Sequence, residues 1–137
     1  MGFKSKNRTI TFFGSVTSGL GKGRYFMRQK CYRTQFLSKL KINPYYGTLN
    51  IKLSRLNAKH LHKIKRKSGI TIKGFKKGGR KFGDVVCYRA ELSGIKCALV
   101  VPKLSTHFDI AEIISTYKLR TKLKLKEGSI VKVSVLV

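Results

Sequence analysis

The chain has few acidic residues, no tryptophan and only two prolines. Of its 137 residues, 31 are lysine or arginine and five are aspartate or glutamate, so the formal net charge is +26. Five carboxylates leave little material for hydrolysis by paired carboxylates, or for a metal site built of carboxylates alone. No apolar run approaches the roughly 20 residues that cross a bilayer, and the polar start does not resemble a signal peptide. We therefore expect a cytoplasmic protein without a membrane partner.

The cysteines are few and form no recognisable metal or disulfide pattern. Cys31, Cys87 and Cys97 include no C-x-x-C pair, and the three histidines do not complete a ligand set with them. An odd number of cysteines in a protein that is not secreted indicates free thiols rather than bridges.

The large positive charge is typical of proteins that bind nucleic acids, because basic side chains neutralise phosphates and release counterions. Basic residues are dense at 59–67 and 73–81, whereas the others are scattered. Aromatic residues that could stack on bases are not interleaved with these runs. Nucleic acid is therefore a possible partner that the pattern does not favour, and the runs can equally be a solvated surface.

Hydrophobic alternation and glycine-rich turns predict a mainly β protein. Strands are predicted at 9–16, 48–53, 70–75, 81–92, 95–101 and 129–137. Helices are predicted at 32–40, 109–115 and 118–123, and a flexible connection at 76–79. Many short strands without regular strand–helix alternation favour a small β-barrel with two or three short helices. We expect one monomeric domain over residues 1–137, with residues 1–8 disordered or loosely attached.

A two-residue hairpin turn at Ser93-Gly94 sets the register of two of these strands. In that register Cys87 faces Val100 and Cys97 faces Ala90, which predicts that the two thiols lie on opposite sides of the sheet.

A glycine-rich segment follows the first predicted strand. It reads Gly19-Leu20-Gly21-Lys22-Gly23-Arg24, and its alternate glycines allow backbone N–H groups to approach a phosphate. It matches neither the Walker A loop nor the dinucleotide-binding pattern. From the residues alone, a phosphate-binding loop and a plain flexible hairpin loop both remain open.

Two polar residues share one face of the second predicted strand. Thr48 and Asn50 are two positions apart, so both side chains point the same way. Mg²⁺ prefers oxygen ligands and keeps several waters, so these two side chains and nucleotide phosphates could complete its coordination. An ordinary strand with a wet polar face is the alternative.

A third polar group, Ser105, Thr106 and His107 beside Asp109, has the residue types of nucleophilic catalysis but no nucleophile elbow. We interpret it as a ligand-contacting loop followed by a helix cap.

Several of these motifs occur together in an order that resembles a known family. They are Ser18 to Phe26, Pro44 to Leu53, Val100 to Lys103, Glu112 to Ile114 and Lys118 to Arg120. In this order and spacing the chain closely resembles the archaeal CTP-dependent riboflavin kinases, from about residue 14 to its end. It departs from their pattern in having Lys22 in place of Glu and Ser115-Thr116 in place of Ala-Pro. It is also one residue shorter between Pro102 and Glu112.

The resemblance implies a six-stranded cradle-loop barrel that transfers the γ-phosphate of CTP to the 5′-hydroxyl of riboflavin, giving FMN and CDP with Mg²⁺ as cofactor. By position it implies that the nucleotide is held by Gly19, Leu20, Gly21, Lys22, Gly23, Arg24, Tyr117, Lys118, Leu119 and Arg120. It further implies that Thr48 and Asn50 ligate Mg²⁺, and that Ser105 or Thr106 contacts the flavin together with Glu112. Glu112 is the candidate for a catalytic base by location. The alternative is a basic nucleic-acid-binding barrel without catalytic activity.

Overall fold

The computed structural model describes residues 8–19, 27–103 and 108–137. Within these residues the strands are β1 (Thr9–Thr17), β2 (Leu49–Lys52), β3 (Ile70–Ile72), β4 (Phe75–Lys77), β5 (Arg80–Phe82), β6 (Val85–Leu92), β7 (Ile95–Pro102), β8 (Ile110–Ile114) and β9 (Ile130–Leu136). The helices are α1 (Lys30–Gln35), which continues into a π-helical turn (Phe36–Leu40), α2 (Arg55–Lys65) and α3 (Leu119–Lys122). None of these helices is long and apolar enough to cross a membrane.

Six of the strands close into an antiparallel barrel. Their order is β6-β7-β8-β2-β1-β9, and pairing of β9 with β6 closes the ring. Strand β3 adds to the outside edge at β6, and β4 and β5 form a separate hairpin. The predicted mainly β, six-stranded barrel with two or three short helices is therefore confirmed.

Apolar side chains fill two layers, one inside the barrel and one outside it. The interior holds residues such as Phe12, Ile51 and Leu99. The outer layer lies between α1 and the sheet and includes Phe36 and Ile114. Because each fully buried side chain of this size contributes about 1.5–3 kcal/mol, both layers stabilise the fold and fix α1 against the barrel.

The hairpin of β6 and β7 has the predicted register. Cys87 is opposite Val100 and Cys97 is opposite Ala90. The two cysteines belong to different apolar layers, which confirms that they lie on opposite faces of the sheet. Burial raises the pKa of both thiols to about 12, so neither is a reactive thiolate at neutral pH.

The helix predicted at 109–115 is wrong, since Ile110–Ile114 form strand β8. Ala111 and Ile113 pack into the barrel while Ile114 packs into the outer layer, so both faces of this strand are covered. A strand that is buried on both faces shows no period-two alternation, and a helix with Asp109 as its cap was the mistaken interpretation.

The flexible connection predicted at 76–79 is also wrong in part. Lys76 and Lys77 belong to β4, which pairs with β5. Only Gly78 and Gly79 form the turn, and both have positive φ, as a tight hairpin of this kind requires.

Helix α2 was not predicted. Ser54 caps it by accepting a hydrogen bond from the Asn57 N–H at 3.3 Å. Ala58, Leu61 and Ile64 are buried at helical spacing and hold it against the barrel.

Candidate functional site

The described structure contains two cavities that adjoin each other. The larger of these two lies on the rim of the barrel, where β1 ends, β2 begins and β8 ends. Its volume is about 500 Å³. It is lined by Thr17, Ser18, Gly19, Tyr45, Tyr46, Gly47, Thr48, Leu49, Asn50, Ile113, Ser115, Tyr117, Lys118, Leu119 and Arg120. Most of these residues belong to loops or to strand ends.

Gly19 approaches the Asn50 side chain so closely that any residue with a Cβ atom would require the Asn50 amide to move. A Cβ atom at Gly19 would collide with the Asn50 amide group. Thr17 pairs with Asn50 across β1 and β2, so the chain has just left the ladder at this point. Gly19 therefore lets the glycine-rich segment begin directly over Asn50.

Thr48, Asn50 and Glu112 lie on one face of the β2–β8 pair. Asn50 is the cross-strand partner of Glu112. The Thr48 hydroxyl donates to Glu112 Oε1 at 3.3 Å, which leaves the lone pairs of Thr48 Oγ1 free to face the larger cavity. A hydroxyl, an amide oxygen and a nearby carboxylate are the hard oxygen donors that Mg²⁺ prefers, so the residues present fit this ion. The described residues contain no cluster of three or more histidine, cysteine or acidic side chains that could hold a metal.

Arg120 belongs to a network that reaches the start of the glycine-rich segment. Its Nη2 donates to Glu127 Oε1 at 3.0 Å. Ser18 donates to the same carboxylate twice, from its hydroxyl at 2.9 Å and from its backbone N–H at 3.2 Å. Arg120 and then Ser18 lower the pKa of Glu127 below its ordinary value, so this carboxylate is ionised at neutral pH.

Three exposed tyrosines surround the mouth of the larger cavity: Tyr45, Tyr46 and Tyr117. The guanidinium of Arg33 lies over the Tyr46 ring at 4.4 Å and also donates to the Pro44 carbonyl at 2.8 Å. Buried Ser115 binds the backbone of the other two tyrosines: its carbonyl accepts from Tyr45 N–H at 2.8 Å and its hydroxyl accepts from Tyr117 N–H at 3.2 Å. Ser115 thus fixes the backbone at Tyr45 and Tyr117, and Arg33 contacts the Tyr46 ring.

A smaller cavity adjoins the larger one and is mainly apolar. Its volume is about 150 Å³. It is lined by Met27, Tyr32, Phe36, Thr48, Arg80, Lys81, Phe82, Gly83, Asp84, Val85, Val100, Pro102 and Glu112. Phe82 stacks on Phe75 with a centroid distance of 4.6 Å, and Tyr32 meets Phe75 edge-on at 4.9 Å. Thr48 lines both cavities, and its hydrogen bond to Glu112 lies between them.

The structure brings together every predicted site residue that it describes. Thr48, Asn50, Gly19 and 117–120 line the larger cavity, and Glu112 lines the smaller one. The Leu119 side chain packs into the barrel core, so only its backbone is available to a ligand. The other predicted nucleotide contacts (20–24) and the predicted flavin contacts Ser105 and Thr106 lie outside the described residues.

Sequence reasoning assigned no role to Glu127, Arg33, Tyr45 or Tyr46. Two tyrosines between Pro44 and Gly47 were a usable signal, because aromatic residues in a short turn cannot all be buried. No local pattern in the sequence predicts the contact between Glu127 and Ser18, since it spans 109 residues.

The chain was compared with known protein families. The sequence profile of CTP-dep_RFKase, described as domain of unknown function DUF120, matches residues 16–135. The chain belongs to this CTP-dependent riboflavin kinase family. This confirms the family inferred from the motifs.

Curated relatives carry the name riboflavin kinase and come from archaea. The chain is 42% identical to the protein of Picrophilus torridus over 127 residues, covering 93% of this chain and 58% of the relative. It is 42% identical to that of Archaeoglobus fulgidus over 130 residues, covering 93% and 55%. It is 40% identical to that of Ignicoccus hospitalis over 131 residues, covering 94% and 73%. The chain thus spans little more than half the length of the first two.

Proposed function

We propose that this chain transfers the γ-phosphate of CTP to the 5′-hydroxyl of riboflavin, giving FMN and CDP, with Mg²⁺ as cofactor. The observation that carries this proposal is the pair of adjoining cavities that share Thr48. One cavity is open and rich in polar groups, as a nucleotide requires, and the other is narrow and apolar, as a flavin ring requires. Family membership and the names of the relatives support the same reaction.

In this proposal the nucleotide occupies the larger cavity. The phosphates lie beside Gly19 and Asn50, where the glycine-rich segment begins, and Arg120 and Lys118 provide positive charge near them. The three tyrosines supply flat surfaces at the mouth on which a base can stack. Because Arg120 is fixed by Glu127, it needs little reorganisation to stabilise phosphate charge.

Thr48 and Asn50 would hold Mg²⁺, with the nucleotide phosphates and water completing its shell. When bound, this ion supplies neutralisation of the charge on the phosphate oxygens. The Thr48–Glu112 hydrogen bond orients the Thr48 hydroxyl, so the oxygen that faces the nucleotide is fixed before binding.

The flavin ring would enter the smaller cavity against Phe82 and Tyr32, with its hydroxylated side chain towards Thr48 and Glu112. Glu112 then lies where the 5′-hydroxyl arrives and can accept its proton as the oxygen attacks the γ-phosphorus. The bond from that phosphorus to the β-phosphate oxygen breaks, and CDP leaves. Positioning of the two substrates across Thr48 is the main contribution of the chain, as is usual in phosphoryl transfer.

The test is formation of FMN from riboflavin and Mg²⁺, with CTP, ATP, GTP and UTP supplied separately and the product separated by chromatography. We expect FMN with CTP at a higher rate than with any other donor. Absence of FMN with all four donors, in protein that gives a cooperative unfolding transition, would contradict the proposal and favour a binding protein without catalytic activity.

A further inference from the structure

The positive charge of this chain is distributed very unevenly. All five acidic residues lie at or after Asp84, whereas 22 of the 31 lysine and arginine residues lie before it. The first 83 residues therefore carry no negative side chain at all. Within them, helix α2 and the turn that follows it carry the run at 59–67.

Helix α2 and the turn that follows it present four exposed basic side chains on the side opposite the buried stripe of the helix. The buried stripe is Ala58, Leu61 and Ile64. Two turn hydrogen bonds, from Arg66 and Lys67 N–H, continue the helical path beyond Lys65. At helical spacing the exposed side chains form one row, which we call the basic ridge: Lys59, Lys63, Arg66 and Lys67.

The basic ridge has no acidic partner among the described residues. Lysine-rich surfaces that add stability do so through ion-pair networks with glutamate, and α2 contains no acidic residue. The ion pairs that the described residues form, Lys52–Asp109 and Arg120–Glu127, leave the ridge out. Like charges four positions apart on a helix repel each other, which offsets the favourable interaction of Lys63 with the C-terminal end of α2. A bound polyanion would relieve this repulsion.

The ridge is also separate from both cavities. Its residues line neither of them, and α2 follows the far end of β2, whereas Thr48 and Asn50 lie at the near end. A role in holding CTP therefore does not explain these four charges.

We propose that the basic ridge is a second binding site, which takes the phosphate backbone of a nucleic acid without regard to sequence. An anionic membrane fits less well, because the apolar side of α2 is buried in the barrel and cannot insert. An exposed aromatic ring favours nucleic acid further: Phe108 lies against His62 at a centroid distance of 6.3 Å and can stack on an unpaired base. The inference does not depend on the kinase activity.

The test compares two variants that each lose four positive charges. The ridge variant has K59Q, K63Q, R66Q and K67Q. The matched control has exposed lysines of the later part of the chain replaced, K96Q, K124Q, K126Q and K132Q. The probes are a labelled single-stranded RNA of 20 mixed nucleotides and a DNA duplex of 20 base pairs, and the readout is fluorescence anisotropy between 50 and 200 mM KCl.

For the single strand, we expect the ridge variant to bind at least about tenfold more weakly, and the slope of log K against log salt to fall by about 3. The control should stay within about twofold of the unchanged protein. Because Phe108 can stack on an unpaired base, we expect the single-stranded RNA to bind more tightly than the DNA duplex.

Equal losses in both variants would overturn the proposal, because binding would then follow net charge alone. So would the absence of RNA and DNA binding at 50 mM KCl, or binding only to vesicles of phosphatidylcholine and phosphatidylserine. FMN formation and thermal unfolding show whether each variant folds. Should the fourfold variant not fold, K63Q with K67Q alone should lower the slope by about half as much.

Discussion

The two cavities on either side of Thr48 are built in different ways. The larger one consists of loops and strand ends that are held by hydrogen bonds and ion pairs, such as the one between Arg120 and Glu127. The smaller one consists of strands and α1, which are held by packed aromatic rings around Phe82. A phosphate chain needs donors that face open space, while a flat apolar ring needs a dry slot, and one barrel rim offers both. Substitutions in one cavity should therefore weaken the binding of one substrate and leave the binding of the other unchanged.

The largest expected effect is at the proposed Mg²⁺ ligands. Loss of an outer partner of a metal ligand costs about 10- to 100-fold, so removing a ligand should cost about 100-fold or more in kcat. We expect this from Thr48→Ala and from Asn50→Ala, with the Kd for riboflavin changed less than about twofold. Turnover at varied Mg²⁺ and quenching of flavin fluorescence measure the two effects.

Thr11→Ala is the matched control, because Thr11 is a strand threonine whose hydroxyl pairs with Ser134. It should leave turnover unchanged. Equal losses of turnover and flavin binding in the Thr48 variant would count against a metal-ligand role.

The next largest effect concerns the polar cavity alone. Glu127→Gln removes a charge-assisted interaction that fixes Arg120, so the KM for the nucleotide should rise about tenfold while the Kd for riboflavin stays unchanged. Arg120→Ala should raise it at least as much, and the double variant should be no worse than Arg120→Ala, since the two residues act together. Steady-state kinetics at varied CTP measures this.

Glu91→Gln is the control, as Glu91 is an exposed glutamate near the β6–β7 turn. The pKa of Glu127 lies below its ordinary value of 4.5. The interaction between Glu127 and Arg120 is therefore at full strength above that pH and is lost as the pH falls through the lowered pKa. A KM that is insensitive to Glu127→Gln would show that Arg120 is positioned by other contacts.

A smaller effect is expected in the apolar cavity. Phe82→Leu keeps an apolar side chain but loses the stacking on Phe75, so riboflavin should bind about 3- to 10-fold more weakly with little change in the KM for CTP. Phe13→Leu, at an exposed phenylalanine, is the control. A change in the CTP parameters alone would reverse the assignment of the two cavities.

The smallest effect is expected at the mouth. Tyr46→Leu removes a ring on which a base can stack. Because Tyr46 is exposed and its ring is partly covered by Arg33, we expect a loss of only about 2- to 5-fold in nucleotide affinity. Titration with CDP in the absence of riboflavin measures it. An effect on riboflavin affinity instead would place Tyr46 beside the other substrate.

Much of the barrel could be predicted from the sequence because its strands are amphipathic and its turns are marked. The Ser93-Gly94 turn alone fixed the register that places Cys87 opposite Val100. Strand β8 was mistaken for a helix because both of its faces are buried. Helix α2 was missed because its basic residues hid a buried stripe at three-residue spacing, although Ser54 was a usable cap signal.

The site was predictable where it rests on local motifs and not where it rests on distant contacts. Thr48 and Asn50 share a face by strand periodicity alone. The position of Glu112 beside them depends on the pairing of β2 with β8, which lie about 60 residues apart. Its hydrogen bond to Thr48 spans 64 residues, and no local pattern predicts it.

The most direct test of the two-cavity account follows the phosphate itself. Riboflavin, Mg²⁺ and CTP labelled with ³²P at the γ-position are incubated with the protein, and the products are separated. The account predicts that the label appears in FMN in step with the CDP formed, with none retained on the protein. Label found only as free phosphate, or bound to the protein, would contradict direct transfer between substrates that meet at Thr48.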